Sequence, residues 1–283
     1  MAMGMKDVLR KMRHLRTLYY KIQWKKEQHR IPKSERERSK TLLSSYRNKY
    51  SGQRCVIIGN GPSLRAEDLE LLTDEITFAS NRIFNLYDKT AWRPTFFCAQ
   101  DDLVLKSICE QLPEVSKESE LTILAASSYD RCKTNAEKVK NLVWMPLRYI
   151  PPQNDRYCFS ENAAQEVIEG LTITYSCMQL AAYMGFAEIY LLGIDHNYSI
   201  EVDKNGKIIK QDTSVKDYFA GSSANKPGNP PQVVEMTCAY MSAEPYSREH
   251  GFRIFNATRG GKLEVFERRS FDEIFGQEKR GAL

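Results

Sequence analysis

The sequence predicts an α/β fold with a mainly parallel sheet. Two observations support this prediction. Short apolar runs of four or five residues recur along the chain, and segments with helical patterning lie between them. Several of these runs are apolar at every position, which is typical of parallel strands that are buried on both faces. A length of 283 residues is sufficient for one such domain with accessory segments.

The predicted elements alternate in the order that a parallel sheet requires. Strands are expected at residues 55–58, 76–80, 95–98, 121–125, 142–145, 188–192 and 253–256. Helices are expected at residues 66–72, 104–111, 172–184 and 232–250. Residues 200–209 resemble a hairpin that turns at Asn205-Gly206. Residues 211–232 are rich in Ser, Gly, Asn and Pro and predict a functional lid or a disordered segment, so the lid with its hairpin is assigned to about 200–232.

Composition excludes several classes of protein. Hydrophobic residues make up 42% and charged residues 27% of the chain, which is typical of a soluble globular protein. No apolar stretch reaches the roughly 18–20 residues of a membrane span. The N-terminus does not resemble a secretory signal, because charges interrupt its apolar residues. Seven scattered cysteines without a C-x-x-C pair predict free thiols in a reducing cytoplasm and argue against a zinc site.

Basic residues are concentrated at the N-terminus. Residues 1–50 hold 15 Lys and Arg against 4 Asp and Glu, whereas the remainder holds 26 against 32. An apolar stripe at helical spacing is formed by Val8, Met12, Leu15, Tyr19 and Ile22. Such a helix can lie on an anionic membrane surface, or it can pack on its own domain or on a second copy, and we expect no nucleic-acid partner. Residues 1–50 are therefore predicted to form a basic amphipathic arm, and residues 51–283 the nucleotide-binding domain.

A glycine turn follows the first predicted strand. Gly59 and Gly61 allow a tight turn and a close approach of the backbone to a ligand, and Asn60 lies between them. Pro62 suits the first turn of a helix, where its missing N–H is not needed, and Ser63 follows it. Free N–H groups at such a turn favour a phosphate or another anion.

Two well-known phosphate motifs do not fit this turn. No Gly-Lys-Ser/Thr follows, so it is not a Walker A loop, and Leu64 occupies the third glycine position of the G-x-G-x-x-G fingerprint. A purely structural turn from strand to helix remains an alternative at this point.

Polar residues also follow the other predicted strands. They are Asn81 and Arg82, Gln100 and Asp101, and then Gly193, Asp195, His196, Asn197 and Tyr198. In open α/β sheets a ligand lies outside the carboxyl ends of the strands, so we expect these residues to converge there as a Rossmann-like site. The amides of Asn81 and Gln100 could read a base or a sugar, although each residue alone could also serve a turn.

Two further groups carry hydroxyls or a titratable ring. Thr172, Thr174, Tyr175 and Ser176 begin a predicted helix, where they either cap the helix or contact the phosphate or sugar of a donor. His196 is the only histidine beside an acid at a strand end, and its pKa range suits a general base. The alternative is a solvent-facing or hydrogen-bonded histidine without a catalytic role.

Three blocks of the sequence resemble known families. Residues 57–64, 184–195 and 254–266 resemble, in the same order, blocks of the 6-hydroxymethylpterin diphosphokinase MptE-like family found in surface-polysaccharide gene clusters. The first two blocks also resemble the bacterial CMP-sialic-acid-dependent sialyltransferases. The resemblance implies a metal-independent glycosyltransferase with a modified Rossmann fold, whose substrate is a nucleotide-activated sugar, most simply a CMP-linked one, and which needs no other cofactor.

The resemblance also implies residue roles. Asn60, Ser63 and Asn81 would contact the nucleotide, as would Gln100 or Asp101. The threonine-rich helix start at 172–176 would contribute, and Tyr198 and Tyr218 would hold the leaving phosphate. The sialyltransferases carry a lid histidine that deprotonates the acceptor, and residues 217–222 contain none. Either another base serves, with His196 and Asp195 as the candidates, or the donor and the reaction differ from those of the sialyltransferases.

These inferences lead to a cytoplasmic enzyme, peripheral to the inner face of the membrane, that glycosylates a hydroxyl of a surface polysaccharide or a lipid-linked glycan. One alternative is a pterin or nucleotide diphosphokinase that uses ATP and magnesium held by Asp101, Asp102 and Asp195. Another is a non-catalytic nucleotide-binding homologue. A homo-oligomer is compatible with the sequence.

Overall fold

The computed structural model describes residues 13–219 and 230–276, with side chains from residue 15. Val8 and Met12 of the predicted stripe and residues 220–229 of the predicted lid lie outside the described residues. Two helices begin the chain, α1 (Arg13–Arg30) and α2 (Lys33–Ser44). None of the described helices combines the length and the apolarity needed to cross a bilayer.

Eight strands form one sheet, and every neighbouring pair is parallel. The strands are β1 (Arg54–Ile58), β2 (Thr77–Ser80), β3 (Phe96–Ala99), β4 (Leu121–Ala125), β5 (Leu142–Met145), β8 (Glu188–Leu192), β11 (Arg253–Asn256) and β12 (Glu267–Arg268). Their order across the sheet is β12-β11-β8-β1-β2-β3-β4-β5. The fold is α/β and Rossmann-like, as predicted.

Helices and two small strand pairs flank this sheet. The helices are α3 (Ala66–Glu70), α4 (Asp102–Ile108), α5 (Leu112–Val115), α6 (Tyr129–Ala136), α7 (Ile173–Tyr183), α8 (Val233–Glu249) and α9 (Phe271–Phe275). The small pairs are β6 (Leu147–Arg148) with β7 (Val167–Ile168), and β9 (Ile200–Val202) with β10 (Ile208–Gln211). The second pair is antiparallel and confirms the predicted hairpin.

Strand β1 shows why the apolar runs become central strands. Cys55 and Ile57 point into the core that contains α7 and α8, whereas Val56 and Ile58 point into the core on the opposite face. All four side chains are at most 2% exposed. A strand covered on both faces must be apolar throughout, and this run meets that requirement.

The direction of strand order reverses beside β1. The chain adds β2 to β5 on one side of β1, and it adds β8, β11 and β12 on the other. Ile58 is in register with Leu192, so β1 and β8 end at the same level. The crevice outside the carboxyl ends of these two strands is the topological switch point, where open α/β sheets bind ligands.

The second half of the predicted arm packs into the domain. Helix α2 lies along β5, and Leu43, Tyr46 and Tyr50 belong to the same core as the sheet. The Trp144 N–H of β5 donates to Ser39 Oγ at 3.0 Å. The structure therefore moves the boundary predicted at residue 50 toward the N-terminus, because apolar residues after Ile31 complete the core.

Helix α1 presents two different faces. The Tyr20 ring meets the Tyr149 ring edge-on at 4.7 Å, and Arg148 lies over the Trp24 ring, so this face packs on the domain. Leu18 and Ile22 on another face are 51% and 43% exposed, and Tyr19 is 38% exposed. One face of α1 therefore packs on the domain, while Tyr19 and Ile22 of the predicted stripe, together with Leu18, remain exposed.

Two cysteines correct the prediction of seven free thiols. The structure joins Cys109 and Cys132 by a disulfide across 23 residues of sequence. Packing of α6 on the turn after α4 brings them together, and no local spacing reveals this. The other five cysteines are free, and Cys55, Cys98 and Cys177 among them are buried.

Candidate active site

A cavity of about 130 Å³ lies at the switch point, and we call it the switch-point cavity. It is bordered by the ends of β1, β2 and β8, the start of α7, the segment before residue 219, and α8. The predicted residues that line it are Gly59, Asn60, Gly61, Asn81, Thr172, Thr174, Gly193, Asp195, His196, Asn197, Tyr198 and Tyr218. The structure therefore brings together the three expected catalytic residues and most of the expected binding residues.

The glycine turn is tight for a reason that differs from the predicted one. Gly61 N–H donates to the Gly193 carbonyl at 2.9 Å, and Gly59 N–H donates to the Leu192 carbonyl at 2.8 Å. A Cβ at position 61 would overlap the Asp195 carboxylate and would lie 2.7 Å from the Gly193 oxygen. The glycines permit the loop after β1 to contact the loop after β8. The hydrogen-bonded backbones of these two loops form the floor of the cavity.

Asp195 occupies the hydrogen-bond donors of the predicted phosphate-binding turn. Ser63 Oγ donates to Asp195 Oδ2 at 2.7 Å, and Ser63 N–H points to the same oxygen at 3.4 Å. Burial raises the pKa of Asp195, and the hydrogen bonds from Ser63 oppose that rise. Ser63, expected to face a ligand, hydrogen-bonds Asp195 here and does not line the cavity. Pro62 does not line the cavity.

Two asparagine side chains present unused acceptors. Asn60 Nδ2 donates to the Ser80 carbonyl at 3.0 Å, and Asn60 Oδ1 is buried without a hydrogen-bond partner. Asn81 adopts a left-handed backbone with φ of 57°, and Asn81 Oδ1 is also buried without a partner. Buried polar atoms in native proteins are nearly always paired, so these two oxygens are acceptors that no group of the described chain satisfies.

His196 is buried and is held in one tautomer. Thr237 Oγ1 donates to the Val233 carbonyl at 2.8 Å, so it can only accept from His196 Nε2, which lies 2.7 Å away. With the Thr237 hydroxyl proton directed at Val233, this arrangement assigns the ring proton to Nε2 and the lone pair to Nδ1. Nδ1 is buried without a partner. Burial lowers the pKa of His196 from 6.5 to about 4, which keeps the ring neutral near pH 7.

Tyrosines and one further acid complete the wall. Tyr198 is half-buried, and desolvation raises the pKa of its hydroxyl. Tyr218 is 42% exposed at the edge of the cavity, and partial burial raises its pKa as well. Asp217 accepts from the backbone N–H and the hydroxyl of Ser199, which ties the segment before residue 219 to the β8 loop.

Seven predicted residues do not line the cavity. They are Pro62, Ser63, Arg82, Gln100, Asp101, Tyr175 and Ser176. Asp101 caps α4 by accepting from the N–H groups of Leu103 and Val104 at 2.9 Å. Arg82 donates to Ser107 Oγ at 3.0 Å.

The other three lie among the protein's own groups. Gln100 Oε1 accepts from the Ser176 hydroxyl at 2.6 Å, so each satisfies the other. Tyr175 is fully buried, and its hydroxyl donates to the Cys158 carbonyl at 2.8 Å. Thr172 caps α7, because its Oγ1 accepts a hydrogen bond from Thr174 N–H. Thr172 and Thr174 also line the cavity.

Five lining residues were not among the predicted site residues, namely Ser80, Ile173, Ile194, Asp217 and Tyr240, and neither was Thr237, which contacts His196. Thr237 and Tyr240 are three residues apart, so they lie on the same face of α8. Such spacing is common in any helix that packs on a core, so it offered no signal. Only the fold shows that this face of α8 meets His196.

The charges of the cavity are unusual for an anion site. Asp195 and Asp217 line it, whereas no Lys or Arg does among the described residues. The three acids predicted to bind magnesium do not converge. Asp101 caps α4, Asp102 pairs with Arg131 at 2.8 Å, and Asp195 is held by Ser63. The described residues contain no group of three or more His, Cys, Asp or Glu that could hold a metal ion.

Residues 28–201 match the model of the family described as 6-hydroxymethylpterin diphosphokinase MptE-like. A search of curated proteins found no match. Among solved structures, the MAf glycosyltransferase from Magnetospirillum magneticum AMB-1 aligns at 14% identity and a TM-score of 0.43, over 84% of this chain and 39% of that one. This chain therefore spans about two-fifths of that protein.

Further similar structures are those of the sialyltransferase CstII from Campylobacter jejuni. Its complex with cytidine-5'-monophosphate aligns at 13% identity and a TM-score of 0.46, over 77% of this chain and 85% of that one. Its complex with CMP-3FNeuAc aligns at 14% identity and a TM-score of 0.45, over 76% and 85% of the two chains.

Proposed function

The chain belongs to the 6-hydroxymethylpterin diphosphokinase MptE-like family, and from the chemistry of its switch-point cavity we propose that it is a glycosyltransferase that uses a nucleotide-activated sugar. One observation carries the proposal: three residues that line this cavity, His196, Asn60 and Asn81, each hold a buried side-chain atom (Nδ1 or Oδ1) that has no hydrogen-bond partner. The motif resemblance to CMP-sialic-acid-dependent sialyltransferases favours a CMP-linked donor.

The two free amide oxygens favour a nucleoside in this position. Asn60 Oδ1 and Asn81 Oδ1 can accept hydrogen bonds only from donors, such as the exocyclic amine of cytosine or the ribose hydroxyls. The phosphate would then lie toward Tyr218 and Thr174, whose hydroxyls can donate to it as charge develops on the leaving oxygen. Neutral donors hold the phosphate in this arrangement.

His196 is the proposed general base. Its Nδ1 lone pair takes the proton from the acceptor hydroxyl, and the resulting oxygen bonds to the anomeric carbon of the donor sugar. The bond from that carbon to the phosphate oxygen breaks at the same time, and the nucleotide leaves with the electron pair. Thr237 keeps the Nε2 proton in place, so the lone pair remains on the nitrogen that faces no protein partner.

Asp195 has a positioning role in this proposal. Its carboxylate fixes Ser63, its backbone oxygen accepts from Lys262 N–H at 2.7 Å, and it immediately precedes the base. His196 itself has a strained left-handed backbone with φ of 50°. The side chain and the backbone of Asp195 are both held by hydrogen bonds, and we infer that this directs the imidazole of His196 toward α8.

The acceptor is proposed to be a hydroxyl of a surface polysaccharide or a lipid-linked glycan, reached at the inner face of the membrane. Leu18, Tyr19 and Ile22 of α1 are exposed together on a helix that also carries six Lys and Arg residues against one Glu. That composition suits the surface of an anionic bilayer. A peripheral, cytoplasmic enzyme is the corresponding proposal for location.

The family description raises the possibility of a magnesium-dependent diphosphokinase, and the donor set does not fit that ion. Magnesium prefers several carboxylate and phosphate oxygens in octahedral geometry. Only Asp195 and Asp217 line the cavity, and both carboxylates already accept hydrogen bonds from serines. We derive no step through a metal.

A thermal-shift panel of CMP, CDP, UDP, GDP and ATP, each with and without magnesium, tests the proposal. CMP at about 100 times its Kd should stabilise the protein by roughly 2.7 kcal/mol. Asn60→Ala and Asn81→Ala should abolish the shift, whereas Asn135→Ala on α6, outside the cavity lining, should retain it. Stabilisation by ATP with magnesium alone would overturn the proposal. Binding of CMP without turnover of any CMP-sugar would identify a non-catalytic homologue.

A further inference from the structure

A second and larger cavity, of about 330 Å³, lies between α1, α2 and β5, and we call it the arm cavity. It is lined by Gln28, Arg36, Ser39, Lys40, Leu43, Val143, Trp144, Pro146, Ala164 and Gln165. Strand β5 is four strand spacings from β1, on the order of 19 Å. The arm cavity is therefore a separate site, and nothing in the proposed transfer reaction uses it.

The charged residues of α2 divide into two sets. Lys33 pairs with Glu37 at 3.7 Å, and Arg38 pairs with Glu35 at 2.7 Å. Arg36 and Lys40 are four residues apart on the face toward the cavity, and within the described residues neither forms an ion pair.

The lining of the arm cavity contains no Asp or Glu. The cavity therefore carries two positive charges, and no acid of the described chain lies within ion-pair distance of either.

Three lining residues also carry hydrogen-bond donors that no acceptor of the described chain is shown to use. Arg36 Nη1 donates to the Gln28 carbonyl at 2.8 Å, which fixes the guanidinium and leaves its other N–H groups available. Gln28 Nε2 is buried without a partner. Ser39, 3% exposed, accepts from Trp144 N–H and keeps its own hydroxyl proton for another acceptor. A buried donor without an acceptor is costly, and a ligand oxygen would satisfy these groups.

We propose that the arm cavity binds the phosphate group of a phosphate ester, with Arg36 and Lys40 as its cationic contacts. Guanidinium and ammonium groups on neighbouring turns of one helix match the oxygens of a single phosphate. The remaining wall contains Gln165 and an apolar part, formed by Leu43, Val143, Trp144, Pro146 and Ala164, which would contact the organic part of the ester. The same phosphate chemistry occurs in a lipid headgroup and in a soluble ester.

Binding of two soluble and two vesicle probes tests this inference on the full chain. The soluble probes are inorganic phosphate and glycerol phosphate, followed by calorimetry. The vesicles are phosphatidylcholine with and without phosphatidylglycerol, followed by co-sedimentation. Arg36→Ala/Lys40→Ala should weaken binding of the preferred probe about tenfold or more. The control Lys33→Ala/Arg38→Ala removes one Lys and one Arg from the same helix. It should weaken binding of that probe less than threefold.

Each outcome has one meaning. If the protein binds only vesicles that contain phosphatidylglycerol, and the Arg36/Lys40 variant loses this binding, the phosphate belongs to a lipid headgroup. If glycerol phosphate binds as well as those vesicles do, the phosphate belongs to a soluble ester. Equal losses in the two double variants, or no binding of any probe, overturn the inference. Should the double variant unfold, Lys40→Gln replaces it, because this substitution leaves the Arg36–Gln28 hydrogen bond intact. Binding of the preferred probe to Lys40→Gln should be at least threefold weaker than to the unchanged chain. The thermal shift with CMP should persist in all these variants, so failure here is distinct from failure of the proposed transferase.

Discussion

The two cavities of this protein have opposite charge. The switch-point cavity is lined by two carboxylates and, within the described chain, by no cation, whereas the arm cavity is lined by Arg36 and Lys40 and by no carboxylate. Topology places the first cavity. Strands β1 and β8 end at the same level of the sheet, and strand order continues from them in opposite directions. Side-chain charge alone marks the second, which lies at an edge strand where no fold rule predicts a ligand.

The contrast teaches how each cavity would recognise phosphate. A cationic site attracts any phosphate ester by charge, so it gains affinity without reading the attached group. A cavity of hydroxyls and amides gains little from charge and must recognise the nucleoside. The predictions below separate these two modes, beginning with the reaction itself.

The largest effect is expected at His196. His196→Gln removes the lone pair of Nδ1 from a side chain of similar size, and the transfer rate should fall about 10²–10⁴-fold. The thermal shift with CMP should be retained, because the asparagine oxygens are unchanged. Turnover of a CMP-sugar and nucleotide binding should be measured on the same preparation. A fully active His196→Gln protein would move the base to another residue.

A matched variant of α8 sharpens this prediction. Thr237→Val keeps the shape of the side chain and removes the acceptor of His196 Nε2–H. The tautomer is then no longer fixed, so the rate should fall by about tenfold to hundredfold, less than in His196→Gln. The pH profile of the rate should also shift, since the imidazole loses one hydrogen bond. A merely structural threonine would change stability and leave the pH profile unchanged.

The joined backbones under the switch-point cavity predict the next effect. Gly61→Ala places a methyl group on the Asp195 carboxylate, and the fold should lose about 3 kcal/mol in denaturant unfolding. Gly206→Ala is the comparison, since φ there is +81° with open space around it. The strained backbone alone should cost about 1–2 kcal/mol. Equal losses of unfolding free energy in the two variants would mean that the loops after β1 and β8 separate easily.

Two buried titratable groups predict opposite slopes of stability with pH. His196 has its pKa lowered from 6.5 to about 4 by burial, so the unfolded chain binds more protons between those values and stability falls as pH drops through them. Glu169, between β7 and α7, has its pKa raised from 4.5 to about 7, chiefly by burial. Its folded form therefore binds more protons, and stability falls as pH rises from about 4.5 to about 7.

Single substitutions separate these slopes. His196→Gln should remove the acid-side loss, and Glu169→Gln should remove the loss toward neutral pH, each on the order of 2 kcal/mol. Urea unfolding at a series of pH values measures both. Unchanged slopes in either variant would mean that the corresponding group titrates normally in the folded chain.

The fold was predictable because its signals are local. Each apolar run became a strand within one or two residues, since strands buried on both faces carry apolar residues at successive positions. The glycine turn and the polar strand ends followed from the same pattern. Helix α2 was misassigned to an arm because its charged sequence hides that Leu43 completes the core.

The rest of the site depends on contacts between residues far apart in sequence. Ser63 looked like a ligand contact, yet it meets Asp195, 132 residues later. His196 was identified, but Thr237, which fixes its tautomer, lies 41 residues away on a helix without a motif. Likewise, Arg36 and Lys40 are part of an evenly charged run, and only the ion pairs of Glu35 and Glu37 show which cations remain unpaired.

The smallest expected effect tests the comparison of the two cavities directly. Raising the salt concentration shortens the Debye length from about 10 Å at 0.1 M to about 3 Å at 1 M. Binding of a phosphate ester to the arm cavity should weaken a few-fold, because Arg36 and Lys40 attract it by charge. CMP should lose less than about twofold in the switch-point cavity, where no described cation lines the wall. Calorimetry of both ligands across one salt series measures the two slopes. Parallel losses would mean that a cation outside the lining reaches the nucleotide, and Arg82, whose positive charge faces Tyr218, would be the first residue to substitute.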